Sequence, residues 1–317
     1  MTPPPHADEA RRRLVRGPTV VTVGGFDGVH VGHRQVLHHM AGAAHRLGAR
    51  SVLVTFEPHP LQVVNPPAAP LLLTVSAERR EILAQCELDV VVFLRFTAEL
   101  SHYTPDAFVH LLLRLLDVKQ LVIGEDHGFG RGRAGDVATL RRLGATLGFA
   151  VDVVPPVLVD GRPVSSSHIR RAVAGGDLQT ARRLLGRAYS VAATVVPGAG
   201  RGRSVGYRTL NLRLPDAPKL LPPDGVYAVH TEWLGGRSGG MMHIGPRPTF
   251  ADHQRSLEVH LLDADADLYG AHVKVSWVAR LRDVMHFPSA DALKRQLDRD
   301  FQAARSALTA SGAPTSH

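Results

Sequence analysis

Two patterns of hydrophobic and polar positions divide the chain into two regions. From Thr19 to about residue 154, short apolar runs alternate with segments in which apolar residues recur at helical spacing. The first pair is the strand-like run Thr19–Val23 followed by the helix-like segment Gly32–Leu47. Strands that alternate with helices are typical of a doubly wound parallel sheet, in which ligands bind beyond the carboxyl ends of the strands. This region therefore predicts an α/β domain whose site lies in the loops after the strands.

A different pattern begins near Ser190. Runs such as VAATVV, GVYAVHTEWL and SLEVHLLD alternate at period two and are separated by Gly, Pro and Asp. Several short strands of this kind predict a small antiparallel β-barrel. Apolar residues from Ala290 to about Ala310 return to helical spacing and predict a terminal helix. The change of pattern predicts two domains, residues 1–187 and residues 188–317.

Length and composition agree with two soluble folded domains. The chain has 317 residues, of which 44% are hydrophobic and 21% charged, which excludes disordered, collagen-like and coiled-coil classes. Its formal net charge of +8 points to anionic partners: nucleic acid, an acidic membrane face or phosphorylated small molecules. A coding bias toward arginine is an alternative source of the same excess, so composition does not choose among these partners.

Several functional classes are excluded by missing sequence features. The single cysteine, Cys86, excludes an intramolecular disulfide and a thiolate-cluster zinc site, and it fits a reducing compartment. No apolar run is long enough to span a bilayer, and residues 1–17 lack the apolar core of a signal peptide. We therefore expect a cytoplasmic protein without a membrane partner. No glycine is followed by Lys-Ser or Lys-Thr, which excludes a P-loop kinase.

The strongest local signal is GGFDGVHVGH, residues 24–33, between the first predicted strand and the first predicted helix. Glycines allow close approach of the backbone to a ligand, and a helix N-terminus offers N–H groups and positive potential to a phosphate. His30 and His33 are then expected to face the same anion site. Their spacing also permits zinc, although no third ligand follows at metal-site spacing, and the remaining alternative is a pair of surface histidines.

GGFDGVHVGH resembles the His-x-Gly-His signature of nucleotidyltransferases. Its FDGVH portion resembles the first motif of the prokaryotic bifunctional riboflavin kinase/FMN adenylyltransferase family. TFEPHP (55–60), GEDHGFGRGRAGD (124–136) and SSSHIR (165–170) follow in the order of that family. Further along the chain, the segments that resemble the riboflavin kinase module are GRGRSVGYRTLN (200–211), PDGVYAV (223–229), IGPRPTF (244–250), LEVHLLD (257–263) and DLYG (267–270).

The resemblance implies that the first domain transfers an adenylyl group from ATP to FMN, giving FAD and pyrophosphate. His30, His33 and Arg170 are the implied catalytic residues. The implied flavin-binding residues are Asp126 and His127, where His127 replaces the usual aromatic residue. The implied ATP-binding residues of this domain are Gly24, Phe26, Gly28, His30, His33, Ser166 and Arg170.

For the second domain, the resemblance implies phosphorylation of riboflavin by ATP. Glu258 is the implied catalytic base, because a primary hydroxyl must lose its proton as it attacks phosphate. Thr209 and Asn211 are the implied ligands of Mg²⁺ and ATP, since their oxygens suit that cation. The family's Pro-Thr-Ala-Asn stretch here contains Arg208 and Leu210 in place of its proline and alanine. An adenylyltransferase with a degenerate kinase module is therefore an alternative.

A basic nucleic-acid-binding protein is a further alternative, suggested by the charge and by the cluster Arg11–Arg13. The chain has neither a helix-turn-helix pattern nor an RNP-like aromatic strand, and its aromatic content is 5%. We therefore expect no nucleic-acid partner; ATP, riboflavin and FMN are the expected small-molecule partners. The sequence makes no prediction of the oligomeric state.

Overall fold

The computed structural model shows two compact units, Met1–Leu72 with Arg79–Ser165 and Leu73–Glu78 with Ser166–His317. The side chain of Arg133 is not described. The residues described are 15–126, 128–197, 209–246, 255–262, 264 and 267–311.

The first unit contains a five-stranded parallel sheet in the order β3-β2-β1-β4-β5. Its strands are β1 (Pro18–Gly24), β2 (Arg50–Glu57), β3 (Val90–Arg95), β4 (Asp117–Gly124) and β5 (Ala150–Val154). The helices that begin or lie in this part of the chain are α1 (Val31–Arg46), α2 (Pro60–Val64), α3 (Ser76–Ala84), α4 (Ala98–Ser101), α5 (Pro105–Leu115) and α6 (Val137–Leu147). Short 3₁₀ turns cover Pro66–Ala68 and Arg131–Arg133, and a two-stranded hairpin pairs β6 (Leu158–Val159) with β7 (Arg162–Pro163). The predicted doubly wound α/β fold is confirmed.

The position of β1 in this sheet determines where a ligand can bind. Successive residues of β1 belong to two different hydrophobic clusters, because Val21 packs on one face of the sheet and Val20 on the other. The chain adds β2 and β3 on one side of β1 and then β4 and β5 on the other. The order of strands therefore reverses between β1 and β4, and the crevice beyond their carboxyl ends is the expected binding site of such a sheet.

The second unit contains a closed six-stranded antiparallel barrel in the order β10-β11-β12-β9-β8-β13. Its strands are β8 (Ser190–Val196), β9 (Leu210–Arg213), β10 (Gly225–Trp233), β11 (Gly236–Pro246), β12 (Arg255–Leu261) and β13 (His272–Arg282). Its helices are α7 (Ser166–Ala174), α8 (Leu178–Leu185) and the terminal helix α9 (Ala290–Ala310). The predicted barrel with a terminal helix is confirmed.

Alternate residues of the barrel strands fill its interior and cover its outside. The fully buried inner face includes Tyr227, Met242 and Trp277. On the outer face, Met241 belongs to the hydrophobic cluster that includes Leu308 of α9. The barrel interior is therefore a packed core, and polar side chains that act on a ligand have to project from the outer face or the rims.

The compact units divide at Ser165, whereas the sequence pattern predicts a boundary near residue 187. Helices α7 and α8 lie in the second unit, because α8 buries Leu178, Leu184 and Leu185 and packs against β13. The sequence pattern changes only where the strands begin, so it does not reveal which core these helices join. The boundary at 187 between functional modules stays a prediction.

A buried ion pair holds the inserted segment 73–78 in the second unit. The Nζ atom of Lys219 donates hydrogen bonds to Glu78 Oε2 at 2.6 Å, the Leu73 carbonyl at 2.7 Å and the Ser190 carbonyl at 2.8 Å. Glu78 also accepts a hydrogen bond from the backbone N–H of Ala192 at 2.8 Å. The Lys219 and Glu78 side chains are only 1% and 6% exposed, so removal of either charge leaves the other buried without its counter-ion.

We expect Lys219→Met to lower the free energy of unfolding of the barrel by about 3–5 kcal/mol, because it leaves the Glu78 carboxylate unpaired. Tryptophan fluorescence during urea unfolding measures this change, since the chain's 2 tryptophans, Trp233 and Trp277, lie on barrel strands. Lys294→Met, the same substitution at an exposed position of α9, should change the stability by less than about 0.5 kcal/mol. Equal urea midpoints for the two variants would contradict this assignment.

Candidate active sites

The segment between β1 and α1 is a tight turn with an unusual backbone conformation. Gly24 ends β1, and positive φ angles follow at Phe26 (47°), Gly28 (83°) and Val29 (38°). Glycine adopts such angles freely, but a β-branched residue such as Val29 does so only under strain. The side chains of Phe26 and Val29 are buried, at 5% and 0% exposure, so packing offsets part of that cost. Backbone strain of this kind is concentrated at functional sites.

The predicted nucleotide-binding histidines lie together at the start of α1. His30 is the N-cap of α1, and its Nδ1 accepts a hydrogen bond from the backbone N–H of His33 at 3.2 Å. A neutral His30 ring with Nδ1 as acceptor carries its proton on Nε2. The rings of His30 and His33 stack with centroids 3.6 Å apart, and the Phe26 ring lies 4.7 Å from that of His33. The structure therefore brings Phe26, His30 and His33 together at a helix N-terminus, where phosphates bind readily.

The predicted flavin-binding residues follow β4, the strand next to β1 in the sheet. Asp126 is exposed and lies two residues after Gly124, at the end of the strand next to β1. His127, the other predicted flavin-binding residue, lies outside the described residues. The glycine-rich stretch beyond it is anchored, because Phe129 is buried and exchanges backbone hydrogen bonds with Gly135 at 3.0 and 2.9 Å. Asp126 and the β1 turn thus lie at the same edge of the sheet, beside the switch point.

Ser166 and Arg170 lie on α7, in the second unit. Ser166 is the first residue of the helix and Arg170 is one turn further, and both are half-buried. Ile169 and Val173 are buried and fix the orientation of the helix in its own unit. The role of Ser166 and Arg170 in nucleotide binding stays a prediction.

The barrel aligns the residues predicted for the kinase step. In the strand register, Glu258 of β12 lies opposite Asn211 of β9 and also opposite His243 of β11. Directly paired residues project from the same face of a sheet. Glu258 lies between buried Leu257 and Val259 and is half-buried, so this row projects from the outer face. The structure therefore brings together a carboxylate, an amide and an imidazole across three adjacent strands.

Thr209 and Leu210 occupy the stretch that departs from the family pattern. Leu210 pairs with Val259 and is buried at 9% exposure, on the face opposite to Asn211. The barrel core thus accommodates the larger side chain, and Asn211 keeps its place beside Glu258. Thr209 lies immediately before β9, and Arg208 lies outside the described residues.

His243 is a candidate site residue that the sequence did not indicate. Burial lowers the pKa of His243, while the charge of Glu258 opposes this shift and that of Arg282 adds to it. Arg282 in turn makes a bidentate ion pair with buried Asp300 of α9, from Nε to Oδ1 at 3.0 Å and from Nη2 to Oδ2 at 2.7 Å. The period-two alternation of GGMMHIG places His243 on the outer face, but only the strand register shows that Glu258 is its neighbour.

Within the described ranges, no group of three or more His, Cys, Asp or Glu side chains is arranged to hold a metal ion. In the part of the chain that the structure covers, no helix is long and apolar enough to cross a membrane.

The structure thus combines a histidine-capped turn at the switch point of a parallel sheet with a barrel that aligns a carboxylate and an amide. A family model described as FAD synthetase matches residues 13–168, and one described as riboflavin kinase matches residues 185–308. The bifunctional riboflavin kinase/FMN adenylyltransferase of Escherichia coli K12 is 38% identical over 288 residues, covering 90% of this chain and 91% of that protein. The chain belongs to the bifunctional riboflavin kinase/FMN adenylyltransferase family.

Other relatives cover the chain to the same extent. The protein of the same description from Pseudomonas fluorescens is 38% identical over 301 residues, which are 94% of each chain. A crystal structure from Streptococcus pneumoniae, described as a macrolide-efflux protein, is 31% identical with a TM-score of 0.84. It covers 92% of this chain and 95% of its own, so both units have counterparts in that protein.

We expect His243→Gln to reduce the loss of barrel stability in acid. The pKa of His243 is lower in the folded state than in the unfolded chain. Below about pH 6.5 the unfolded chain therefore binds more protons than the folded protein, and the free energy of unfolding decreases as the pH is lowered. Tryptophan-detected urea unfolding at about pH 7.5 and about pH 5.5 measures this loss, which should be smaller in the variant than in the wild type. His286→Gln, at an exposed position, is the control. Identical acid losses in wild type and His243→Gln would disprove the prediction.

Proposed function

We propose that this chain converts riboflavin and ATP into FMN at the barrel, and converts FMN and ATP into FAD and pyrophosphate at the parallel sheet. The observation that carries the proposal is that one chain matches both family models in order, one at residues 13–168 and the other at residues 185–308. The two residue sets described above supply a separate chemistry for each reaction. We further propose that both reactions occur in the cytoplasm and use Mg²⁺.

In the proposed adenylyl transfer, an oxygen of the FMN phosphate attacks the α-phosphorus of ATP, and the bond to the β-phosphate oxygen breaks. The FMN phosphate is largely dianionic at neutral pH, because its second pKa is about 6, so no general base is needed. The step needs in-line positioning and stabilisation of the negative charge on the departing pyrophosphate. The N–H groups at the start of α1 and the Nε2–H of His30 are donors suited to that charge. Arg170 is the proposed cation for the same phosphates.

In the proposed kinase step, the terminal ribityl hydroxyl attacks the γ-phosphorus of ATP and ADP departs. Glu258 accepts the hydroxyl proton, and its register beside Asn211 supports this role because base and phosphate ligand have to act at one point. The oxygens of Thr209 and Asn211 fit Mg²⁺, which prefers oxygen ligands and is commonly held by few protein groups together with phosphates. When bound there, Mg²⁺ neutralises phosphate charge during transfer.

The alternative with a degenerate kinase module rests on Arg208 and Leu210. The burial of Leu210 in the barrel core, with Asn211 retained beside Glu258, favours the bifunctional enzyme. The two proposals differ in one product, because only the bifunctional enzyme forms FMN from riboflavin.

We expect purified protein to form both FMN and FAD when incubated with riboflavin, ATP and Mg²⁺, and to form FAD from supplied FMN. Chromatographic separation of the fluorescent flavins measures both products. FAD from supplied FMN, without any product from riboflavin, would favour the degenerate kinase. Formation of neither product would reject the proposed function.

We expect two substitutions to separate the reactions. His30→Ala removes the cap of α1 and a donor to phosphate, and should lower the rate of FAD formation by at least about 100-fold while FMN formation continues. Glu258→Gln retains the shape of the side chain without the base, and should lower FMN formation by about 10²–10⁴-fold while FAD formation from FMN continues. Loss of both reactions in either variant, with the protein still folded, would refute independent sites.

A further inference from the structure

One backbone carbonyl, that of Gly25, receives two side-chain hydrogen bonds inside the β1–α1 turn. Arg79 of α3 donates from Nη1 to the Gly25 oxygen at 2.8 Å, and Thr55 of β2 donates from Oγ1 to the same oxygen at 3.1 Å. Arg79 also donates from Nη2 to the carbonyl of Phe56 at 2.8 Å. A single guanidinium thus joins the turn after β1 to the end of the neighbouring strand.

Arg79 is buried at considerable cost. Arg79 is only 5% exposed, and its Nε is buried without a hydrogen-bond partner among the described residues. Burial lowers the pKa of Arg79, and the charges of Asp27 and Glu57 oppose that shift. The hydrogen-bond acceptors of its terminal nitrogens are neutral carbonyl groups. Buried charge is destabilising unless it is well compensated, so an arginine in such surroundings indicates a structural or functional role.

The strain in the β1–α1 turn indicates what this role is. The residue after Gly25 is Phe26, which begins the series of positive φ angles that ends at Val29. Each non-glycine residue in this conformation costs about 1–3 kcal/mol and persists only where the surrounding structure enforces it. Fixing the Gly25 carbonyl enforces the direction of the chain at the start of the strained turn. The turn ends at His30, whose side chain then caps α1.

We propose that Arg79 is a positioning residue for adenylyl transfer: through the Gly25 carbonyl it holds the turn in the conformation that places His30 at the N-terminus of α1. This proposal rests on the adenylyltransferase function proposed above. Arg79 acts through the backbone, and Thr55 donates a second hydrogen bond to the same carbonyl. The structure thus assigns to a residue of α3 a part in adenylyl transfer only.

Arg79→Met tests the proposal, because methionine is apolar and unbranched and removes both hydrogen bonds. Since misplacement of a reacting group by about 1 Å costs about 100-fold in rate, we expect kcat for FAD formation from supplied FMN to fall about 100-fold. The KM for ATP should change by less than about threefold, since the strained turn acts mainly in the transition state. Riboflavin phosphorylation, measured in the same preparation, should keep its wild-type rate.

Arg80→Met is the matched control, because it removes the same charge one residue further along α3. The Arg80 side chain is 55% exposed, pairs with Glu57 at 2.7 Å and lies 3.8 Å over the ring of Phe93, without a bond to the turn. We expect both activities of Arg80→Met to stay within about threefold of the wild type, as for a surface ion pair. A loss of FAD formation equal to that of Arg79→Met would overturn the assignment to Arg79.

Thr55→Val keeps the proposal testable if Arg79→Met does not fold. Thr55 is fully buried on β2, and valine retains its shape while removing the hydroxyl bond to Gly25. We expect kcat for FAD formation to fall about threefold to tenfold, the cost of one neutral hydrogen bond. If Arg79→Met folds, the double variant should lose less than the product of the two single losses, because both residues act on one carbonyl.

Three outcomes distinguish a failure of the proposed function from a failure of the positioning role of Arg79. Wild-type protein that forms no FAD from FMN refutes the proposed function itself. Wild-type protein that forms FAD, together with unchanged kcat in Thr55→Val or in folded Arg79→Met, overturns only the positioning role of Arg79. Independent losses that multiply in the double variant likewise overturn action through the shared Gly25 carbonyl.

Discussion

Between Gly24 and His30 the chain has to leave the middle of a parallel sheet and enter a helix whose N-terminus faces the switch point. Both faces of β1 are covered by hydrophobic core, so the turn has little room to take a relaxed path. It therefore adopts positive φ angles at Phe26 and Val29, and buries both side chains. His30 caps α1 only when the turn keeps its conformation, so the nucleotide chemistry that we propose for this edge of the sheet depends on that turn.

The second unit depends on a different constraint, which is strand register. A closed barrel has no free edge along which a strand can slip, and a shift of one residue would turn Glu258 inward and a core residue outward. Register therefore fixes the row of Asn211, Glu258 and His243 on the outer face. The bidentate pair of Arg282 with Asp300 attaches α9 to the end of β13, which supports the same side of the barrel. The two units thus hold their candidate sites by different means, backbone strain in one and register in the other.

Periodicity in the sequence was sufficient to predict both folds, because consecutive apolar runs and period-two alternation report directly on which faces are buried. It also located the β1 turn, because a glycine-rich segment between a predicted strand and a predicted helix marks a turn at the carboxyl end of that strand. It did not reveal Arg79, because the run AERRE resembles a solvated helix face and only the structure shows that one of its arginines is buried. His243 was missed for a related reason: cross-strand neighbours depend on register, which a single sequence does not specify.

The positive charge of the chain acquires a different meaning once its buried members are identified. Lys219 neutralises Glu78 in the second unit, Arg282 neutralises Asp300, and Arg79 binds carbonyl groups beside the turn. The Lys219–Glu78 and Arg282–Asp300 pairs each add nothing to the formal net charge of +8, and the charge that Arg79 adds is directed at carbonyl groups of the protein itself. Total charge is therefore a poor guide to the partner in this protein. The useful electrostatic signal is local: backbone N–H groups and a histidine donor converge where β1 ends, and a carboxylate lies beside an amide on the barrel.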